Sequence, residues 1–476
     1  MKLIWERGKE GRRAYWPSPS ESPEVSLEEL LGKEYRSEPL DLPEVSELDV
    51  VRHFTNLAHE NYSVDANFYP LGSCTMKYNP KLNEELANLP NFLNAHPLCM
   101  EGLAGSIEVM YRTQDLLARI SGMAVVTLQP LAGAHGELTG LMLIKAYHQD
   151  HGEDRDEVIV PDSAHGTNPA SAAMCGFKVV EVKSHDGLVD IEELKKVVSS
   201  KTAALMLTNP NTLGLFEKNI IEIARIVHDA GGLLYYDGAN LNALLGKVRP
   251  GDMGFDVMHF NLHKTFATPH GGGGPGSGAV GVAKKIEPYL PYPVAVKGPD
   301  GYALDFNRPK SIGKVATFYG SFNVIVKAFS YMVNLGQEGL RGVSELAVLN
   351  ANYLNALLRD VLPVPYSEGV MHEFVASAEN LGLTALEIAK ALLDFGFHAP
   401  TIYFPLIVHE ALMIEPTETE SPETLEEFAD TIKKILTDPQ KYKDAPAKTA
   451  VKRVDDVKAA RHPILTKAQL DAEKFN

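Results

Sequence analysis

Lys264 lies within HFNLHKTFATPHGGGGPGSG (His259–Gly278), between a histidine and a threonine and just ahead of a glycine run. A lysine amine so placed is a candidate for imine chemistry with a carbonyl group. Asp237 closes the apolar run LLYYD; burying a carboxylate is costly without a cationic partner, so packing alone does not explain it. His165, in DSAHGTNPAS, offers a flat ring, and Gly133 and Ala134, in QPLAGAHGELTG, open an amphipathic segment whose free N–H groups form an anion site. Thr208 and Asn209 begin TNPNTLG, a turn-rich loop. Taken singly, the Gly133 turn, His165 and the TNPNTLG loop each have a plain structural explanation: a glycine turn, a hydrogen-bonding histidine, a polar turn.

The elements that must position these residues are short runs of β-branched and apolar residues: AVVTL (124–128), EVIVP (157–161), KVVEV (178–182), AALML (203–207), LLYYD (233–237), DVMHF (256–260) and AVGVA (279–283). Helical stretches separate them. ELTGLMLIKAYH carries Leu138, Leu141 and Met142 at helical spacing, Asp190 and Glu193 suit a capping pair, and Ile220, Ile223, Ala224 and Val227 share one face of a segment that stops at glycine. Such alternation predicts an α/β fold with a mostly parallel sheet covered on both faces, with its chemistry at the carboxyl ends of the strands. His165, Thr208, Asp237, Lys264 and the Gly133 turn all fall at that edge. Lysine, acid, stacking ring and phosphate site are together what pyridoxal phosphate requires. The glycines after Lys264 would let backbone approach that cofactor closely.

GSGAVG (Gly276–Gly281) is a literal GxGxxG. A dinucleotide fingerprint must follow a strand and open a helix, whereas this one leads into a strand, so a nicotinamide-dependent dehydrogenase is the weaker reading. The chain has 476 residues, with 45 basic against 62 acidic and a formal net charge of −17, which argues against a nucleic-acid or anionic-membrane surface. Such length implies roughly two or three domains. Cys74, Cys99 and Cys175 are odd in number and far apart, fitting neither a disulfide framework nor a CxxC metal site; reduced thiols and a cytoplasmic setting are expected. The N-terminus lacks a secretory h-region, and no apolar run approaches the roughly 20 residues that span a bilayer. Proline, glutamate and serine enrich the first ninety or so residues, as in WPSPSESPEVS, which reads as an extended arm, and Lys and Arg enrich the tail after 440.

YPLGSCTMKYNP (69–80), AGAHGELTG (132–140), DSAHGTNPAS (162–171), YYDGANLNALLG (235–246), NLHKTFATPHGGGGPGSG (261–278), MHEFV and EPTETE resemble, in order and over most of the chain, the lysine-bearing half of the glycine cleavage system decarboxylase, the P-protein family. The resemblance implies a fold-type I pyridoxal-phosphate enzyme with a seven-stranded sheet. It implies an N-terminal arm over 1–95, a large cofactor-binding domain over 96–325, a small C-terminal domain over 326–440 and an extension over 441–476. It further implies the split form of the enzyme, with a sister subunit 1 completing a heterotetramer. The implied reaction is decarboxylation of glycine, with the aminomethyl group passed to the lipoyl arm of the H-protein. Lys264 would form the Schiff base, Asp237 would bind the pyridine nitrogen, His165 would stack, and Gly133 and Ala134 would bind phosphate. Thr208 and Asn209 would lie near the ring's phenolic oxygen, Ala239 beneath the ring, and His263 in the pocket. PLGSCTMK would form part of the wall; Cys74 there has no nearby base to activate it as a nucleophile. Arg308 and His372 are candidates for the substrate carboxylate. Other fold-type I enzymes, such as aminotransferases and amino-acid lyases, share the same acid, lysine and phosphate loop, and a non-catalytic scaffold subunit would not need Lys264 and Asp237.

Overall fold

The computed structural model describes residues 2–15, 18–19, 21–23, 25–36, 38, 40, 42–269 and 276–474. The glycine run expected to shape the Lys264 loop, His270–Pro275, lies outside the described residues, as do several positions of the proline-rich arm. The chain divides into two compact units, Met1–Ser63 and Val64–Asn476. In the first, Ser46 caps the helix Glu47–His59 by accepting the Asp49 N–H at 3.2 Å. The PLGSCTMK loop belongs to the second unit.

That unit is built on seven strands: β1 (Val125–Thr127), β2 (Glu157–Pro161), β3 (Lys178–Val182), β4 (Thr202–Thr208), β5 (Leu233–Asp237), β6 (Val257–Asn261) and β7 (Gly278–Val282). Their order is β1–β7–β6–β5–β4–β2–β3. All pairings are parallel except those of β7, which runs antiparallel to β1 and β6. β4 to β7 are buried along their whole lengths, as strands covered on both faces must be. The two-residue period of β5 feeds two separate cores. Leu234 and Tyr236 join Ile223 and Val227 of one covering helix, Ile220–Asp229, while Leu233 and Tyr235 join Leu141 and Ile144 of the opposite one, α1 (Gly133–Asp150).

Glycines set how closely α1 approaches the sheet. A Cβ on Gly133 would lie 2.0 Å from Asn261, one on Gly136 2.8 Å from His259, and one on Gly140 2.4 Å from the Tyr235 ring. The spacing in AGAHGELTG is therefore a flat helix face pressed onto β5 and β6. In GSGAVG, Gly278 has the same role, since a Cβ there would lie 2.2 Å from the Ala132 carbonyl at the mouth of α1. These glycines serve backbone packing, and the GxGxxG runs directly into β7.

A 37-residue helix, Phe322–Leu358, broken at Gly336 (φ 62°), leads to a second, antiparallel sheet: β8 (Phe374–Ser377), β9 (Thr401–Ile402) and β10 (Ala411–Ile414), with β10 central. Helices Ala385–Leu393 and Pro422–Thr437 enclose its core of Phe374, Leu412, Ile414 and Phe428. The first of these carries a full capping box between Thr384 and Glu387. Beyond it, the helices Asp456–Arg461 and Lys467–Lys474 complete the described chain. No helix among the described residues is long and apolar enough to cross a membrane. Gly140→Ala should overpack the α1–sheet contact and cost about 1–3 kcal/mol. A urea midpoint equal to wild type would show that the helix stands off the sheet.

Candidate active site

The carboxyl ends of β1, β2, β4, β5 and β6 converge. Lys264 sits on the helical turn Leu262–Thr265 that follows β6 directly. Asp237 is the last residue of β5, His165 follows β2, Thr208 ends β4, and Gly133 and Ala134 begin α1. All of these, with Ala239 and His263, line one cavity of about 160 Å³. Asn209 does not line it. Its side-chain oxygen instead accepts the Glu217 N–H at 2.9 Å, within a buried turn.

Asp237 is 3% exposed. Its Oδ2 accepts the Asn168 amide at 2.9 Å, its Oδ1 accepts the Ala239 N–H at 2.9 Å, and His259 Nε2 lies 3.3 Å from Oδ1. Burial alone would raise the carboxyl's pKa. His259, the Asn168 amide, the Ala239 N–H and the Lys264 charge outweigh burial and hold it below the usual carboxylate range. His259 is itself kept below its ordinary value by burial, against the pull of Asp237. Its Nδ1 faces the Tyr235 hydroxyl at 2.9 Å, which leaves Nε2–H directed at Asp237.

The sequence reading missed Glu137, a buried acid on α1 that also lines the cavity. It accepts from Thr167 (2.8 Å), Asn168 (3.1 Å) and Ser171 (3.3 Å), so one Asn168 amide group bridges Glu137 and Asp237. Burial and the neighbouring Asp237 charge push Glu137 up to about 7. The two acids thus divide their roles: Asp237 carries the charge and Glu137 tends to keep its proton. His165 Nδ1 lies 2.8 Å from the Thr167 hydroxyl, and burial lowers its pKa, so its ring faces the cavity as a neutral imidazole.

The Lys264 Nζ donates to the Ser73 carbonyl at 2.7 Å. Lys77, from the same PLGSCTMK loop, is 2% exposed and donates to the Thr265 carbonyl (2.8 Å), Glu418 (2.8 Å) and the Tyr331 hydroxyl (3.2 Å). Burial alone would lower the Lys77 pKa; Glu418 and Tyr331 more than offset it, and the amine stays charged. Lys77 is therefore a structural cation, while Lys264 meets a neutral acceptor at the cavity wall.

Two carboxylate-binding candidates fall outside the cavity. Arg308 donates to the Glu287 carbonyl at 2.6 Å and pairs with Asp305 at 3.6 Å. His372 is fully buried behind the cavity, and burial together with Lys264 lowers it to about 3, so it offers no cation. Burial likewise raises the half-buried Cys74 thiol, against a thiolate nucleophile. Beside His372, Glu373 and Glu415 are also fully buried. Burial and mutual repulsion push Glu373 to about 8, and burial pushes Glu415 to about 7.

Glu137, Glu373 and Glu415 keep protons in the folded chain that the unfolded chain releases above the ordinary glutamate value. Their stabilising protonation is fully present below about pH 4.5 and is lost as pH rises toward 7–8, by up to about 1.4 kcal/mol per pH unit for each group. Asp237 acts with opposite sign and only at lower pH. Between about pH 5 and pH 8 the thermal midpoint of Glu373→Gln should rise relative to that of wild type, because only wild type loses this protonation. A difference between the two proteins that does not change with pH would contradict this.

A family model described as "Glycine dehydrogenase, C-terminal domain" matches residues 343–462, and one described as "Aminotransferase class-V" matches 137–274. The chain is 58% identical to a probable glycine dehydrogenase (decarboxylating) subunit 2 of Caldanaerobacter subterraneus, over 97% of this chain and 98% of that one. It is also 58% identical to the protein of the same name from Alkaliphilus oremlandii, over 98% of each. Among solved structures, a glycine decarboxylase (P-protein) of the glycine cleavage system in inhibitor-bound form aligns with TM-score 0.75 and 24% identity, covering 86% of this chain and 95% of that chain. A sphingosine-1-phosphate lyase of Burkholderia pseudomallei aligns with TM-score 0.63 and 15% identity, over 85% and 93%. The structural likenesses establish the fold-type I architecture of pyridoxal-phosphate enzymes. The sequence likenesses, at this identity and over nearly the whole length, place the chain in the family of glycine dehydrogenase (decarboxylating) subunit 2.

Proposed function

We propose that this chain is the lysine-bearing catalytic subunit of a two-subunit glycine dehydrogenase (decarboxylating). It would hold pyridoxal 5'-phosphate on Lys264, release carbon dioxide from glycine and pass the aminomethyl group to the lipoyl arm of the H-protein. The observation that carries this reading is that Lys264 and the ionised, buried Asp237 line one cavity whose rim includes the N-terminus of α1. The residues present fit the cofactor. The first N–H groups of α1, at Gly133 and Ala134, are free of intrahelical partners and suit its phosphate. The buried Thr208 hydroxyl, at the cavity wall, has no hydrogen-bond partner among the described residues and suits a ring oxygen, with Asn209 shaping the turn behind it.

When bound, the cofactor supplies an electron sink for the bond between Cα and the carboxylate of glycine. The chain's residues make that sink effective. Asp237 would hold a proton on the pyridine nitrogen, in a low-dielectric site where its charge is little screened. The His165 ring would stack on the cofactor, and Ala239 would pack against it. Lys264 would hold the cofactor, and His263 would complete the wall. The sister subunit 1, in a cytoplasmic heterotetramer, and the lipoylated H-protein complete the cycle, in which the lipoyl disulfide is reduced as its sulfur bonds the aminomethyl carbon.

Borohydride reduction followed by peptide mapping should fix the cofactor on Lys264. With sister subunit, glycine and lipoylated H-protein, wild type should release carbon dioxide, while Lys264→Ala stays folded and inactive. Asp237→Ala should lose about 10²-fold or more in kcat. Label on another lysine, or normal turnover by Lys264→Ala, would overturn the reading. Amino transfer from glycine to a 2-oxo acid without lipoyl carrier would favour an aminotransferase.

A further inference from the structure

Lys264 meets the rest of the chain through the carbonyl of Ser73, and that carbonyl has an unusual support. Ser73 adopts φ 60°, in the left-handed region, which a residue bearing a Cβ holds only where its surroundings over-determine it. Those surroundings come from the second sheet. Gly72 N–H donates to the Met413 carbonyl at 3.3 Å, and the Thr401 hydroxyl donates to the Gly72 carbonyl at 2.7 Å. Thr75 donates to Glu415 at 2.6 Å. The Ser73 N–H itself donates to Glu373 Oε2 at 2.8 Å. Glu373 is completely buried, and its Oε1 accepts from Asn240, a cavity residue, at 3.2 Å. A chain of contacts thus runs from Glu373 through the Ser73 backbone to the Lys264 amine.

We propose that Glu373 is a positioning residue for Lys264: by fixing the left-handed Ser73 it builds the carbonyl on which the amine rests whenever the cofactor is not bonded to it. The chemistry suits this place. A carboxylate touching the amine directly would hold it as an ammonium ion, unable to attack a carbonyl. A peptide carbonyl orients the amine without placing a negative charge against it. Glu373, pushed to about 8, stays largely protonated near neutrality and acts one residue removed. The proposal rests on the reading of Lys264 as the cofactor-bearing amine, and its test separates the two.

The full-length chain, stripped of cofactor, is mixed with pyridoxal phosphate and cyanoborohydride, and the rate of capture at Lys264 is followed by peptide mass. Hydrogen exchange at the Ser73 amide is read in peptides spanning 71–77. Glu373→Met keeps the bulk and removes the acceptor; Glu373→Gln keeps an acceptor for the Ser73 N–H. Capture by the Met variant should slow by about tenfold or more, with Ser73 protection lost, the size expected when a buried donor loses its acceptor. The Gln variant should restore both to within about threefold. Should the Met variant not fold, Gly72→Ala decides. Its Cβ would fall 2.2 Å from the Met413 side chain and 2.8 Å from its backbone, displacing the loop without touching Glu373, and it should slow capture likewise. Wild-type capture rates in the folded Met variant, or in Gly72→Ala once Ser73 protection is lost, would overturn the positioning role while leaving Lys264 as the carrier. Failure of wild type to be captured at Lys264 would instead overturn the reading beneath it.

Discussion

The structure turns on one buried charge. Asp237 ends a strand whose every residue is shielded from water, where an isolated carboxylate would take up a proton. It stays ionised because the fold surrounds it with donors: the Asn168 amide, the Ala239 N–H, the His259 ring and, across the cavity, Lys264. Each comes from a different element, so the seven-stranded order and the pressing of α1 onto β5 and β6 are preconditions for the charge. Glu137 shows the cost of adding a second acid here. Sharing the Asn168 amide with Asp237, it is driven toward its neutral form, and the site keeps a single dominant anion.

The same logic governs the far wall. The PLGSCTMK loop is clipped to the lysine turn twice, by Lys264 donating to Ser73 and by Lys77 donating to Thr265. Glu373, Glu415 and Glu418, from the second sheet and the segment after it, hold the loop from behind. Two lysines near one turn, Lys77 buried and Lys264 half-buried, would be a liability if both were free. The Glu418 ion pair with Lys77 removes one of them from the chemistry, since a charged, hydrogen-bonded amine is no nucleophile.

Much of this was legible in the sequence, for local reasons. All seven strands carry runs of β-branched and apolar residues, and their ends fall within a residue or two of the expected positions, most sharply in the buried strands, which tolerate little else. Asp237 stood out because packing does not explain a carboxylate ending an apolar strand, and Lys264, His165 and the Gly133 turn because they fall with it at one edge of the sheet. What could not be read were the long-range partners. Nothing near Ser73 in sequence announces Glu373, and Glu137 reads as an ordinary helix acid. Asn209 and Arg308 misled for the same reason in reverse. Both sit in loops near the right elements, yet local contacts, to the Glu217 N–H in one case and to Glu287 and Asp305 in the other, turn them aside.

The central claim is that Asp237 keeps a ring nitrogen protonated opposite Lys264. The most direct measurement is the nitrogen-15 chemical shift of ring-labelled pyridoxal phosphate bound to the protein near pH 8. The account predicts the shift of a protonated pyridinium, moving to that of a neutral pyridine in Asp237→Ala. A neutral pyridine shift in the wild-type protein would contradict it.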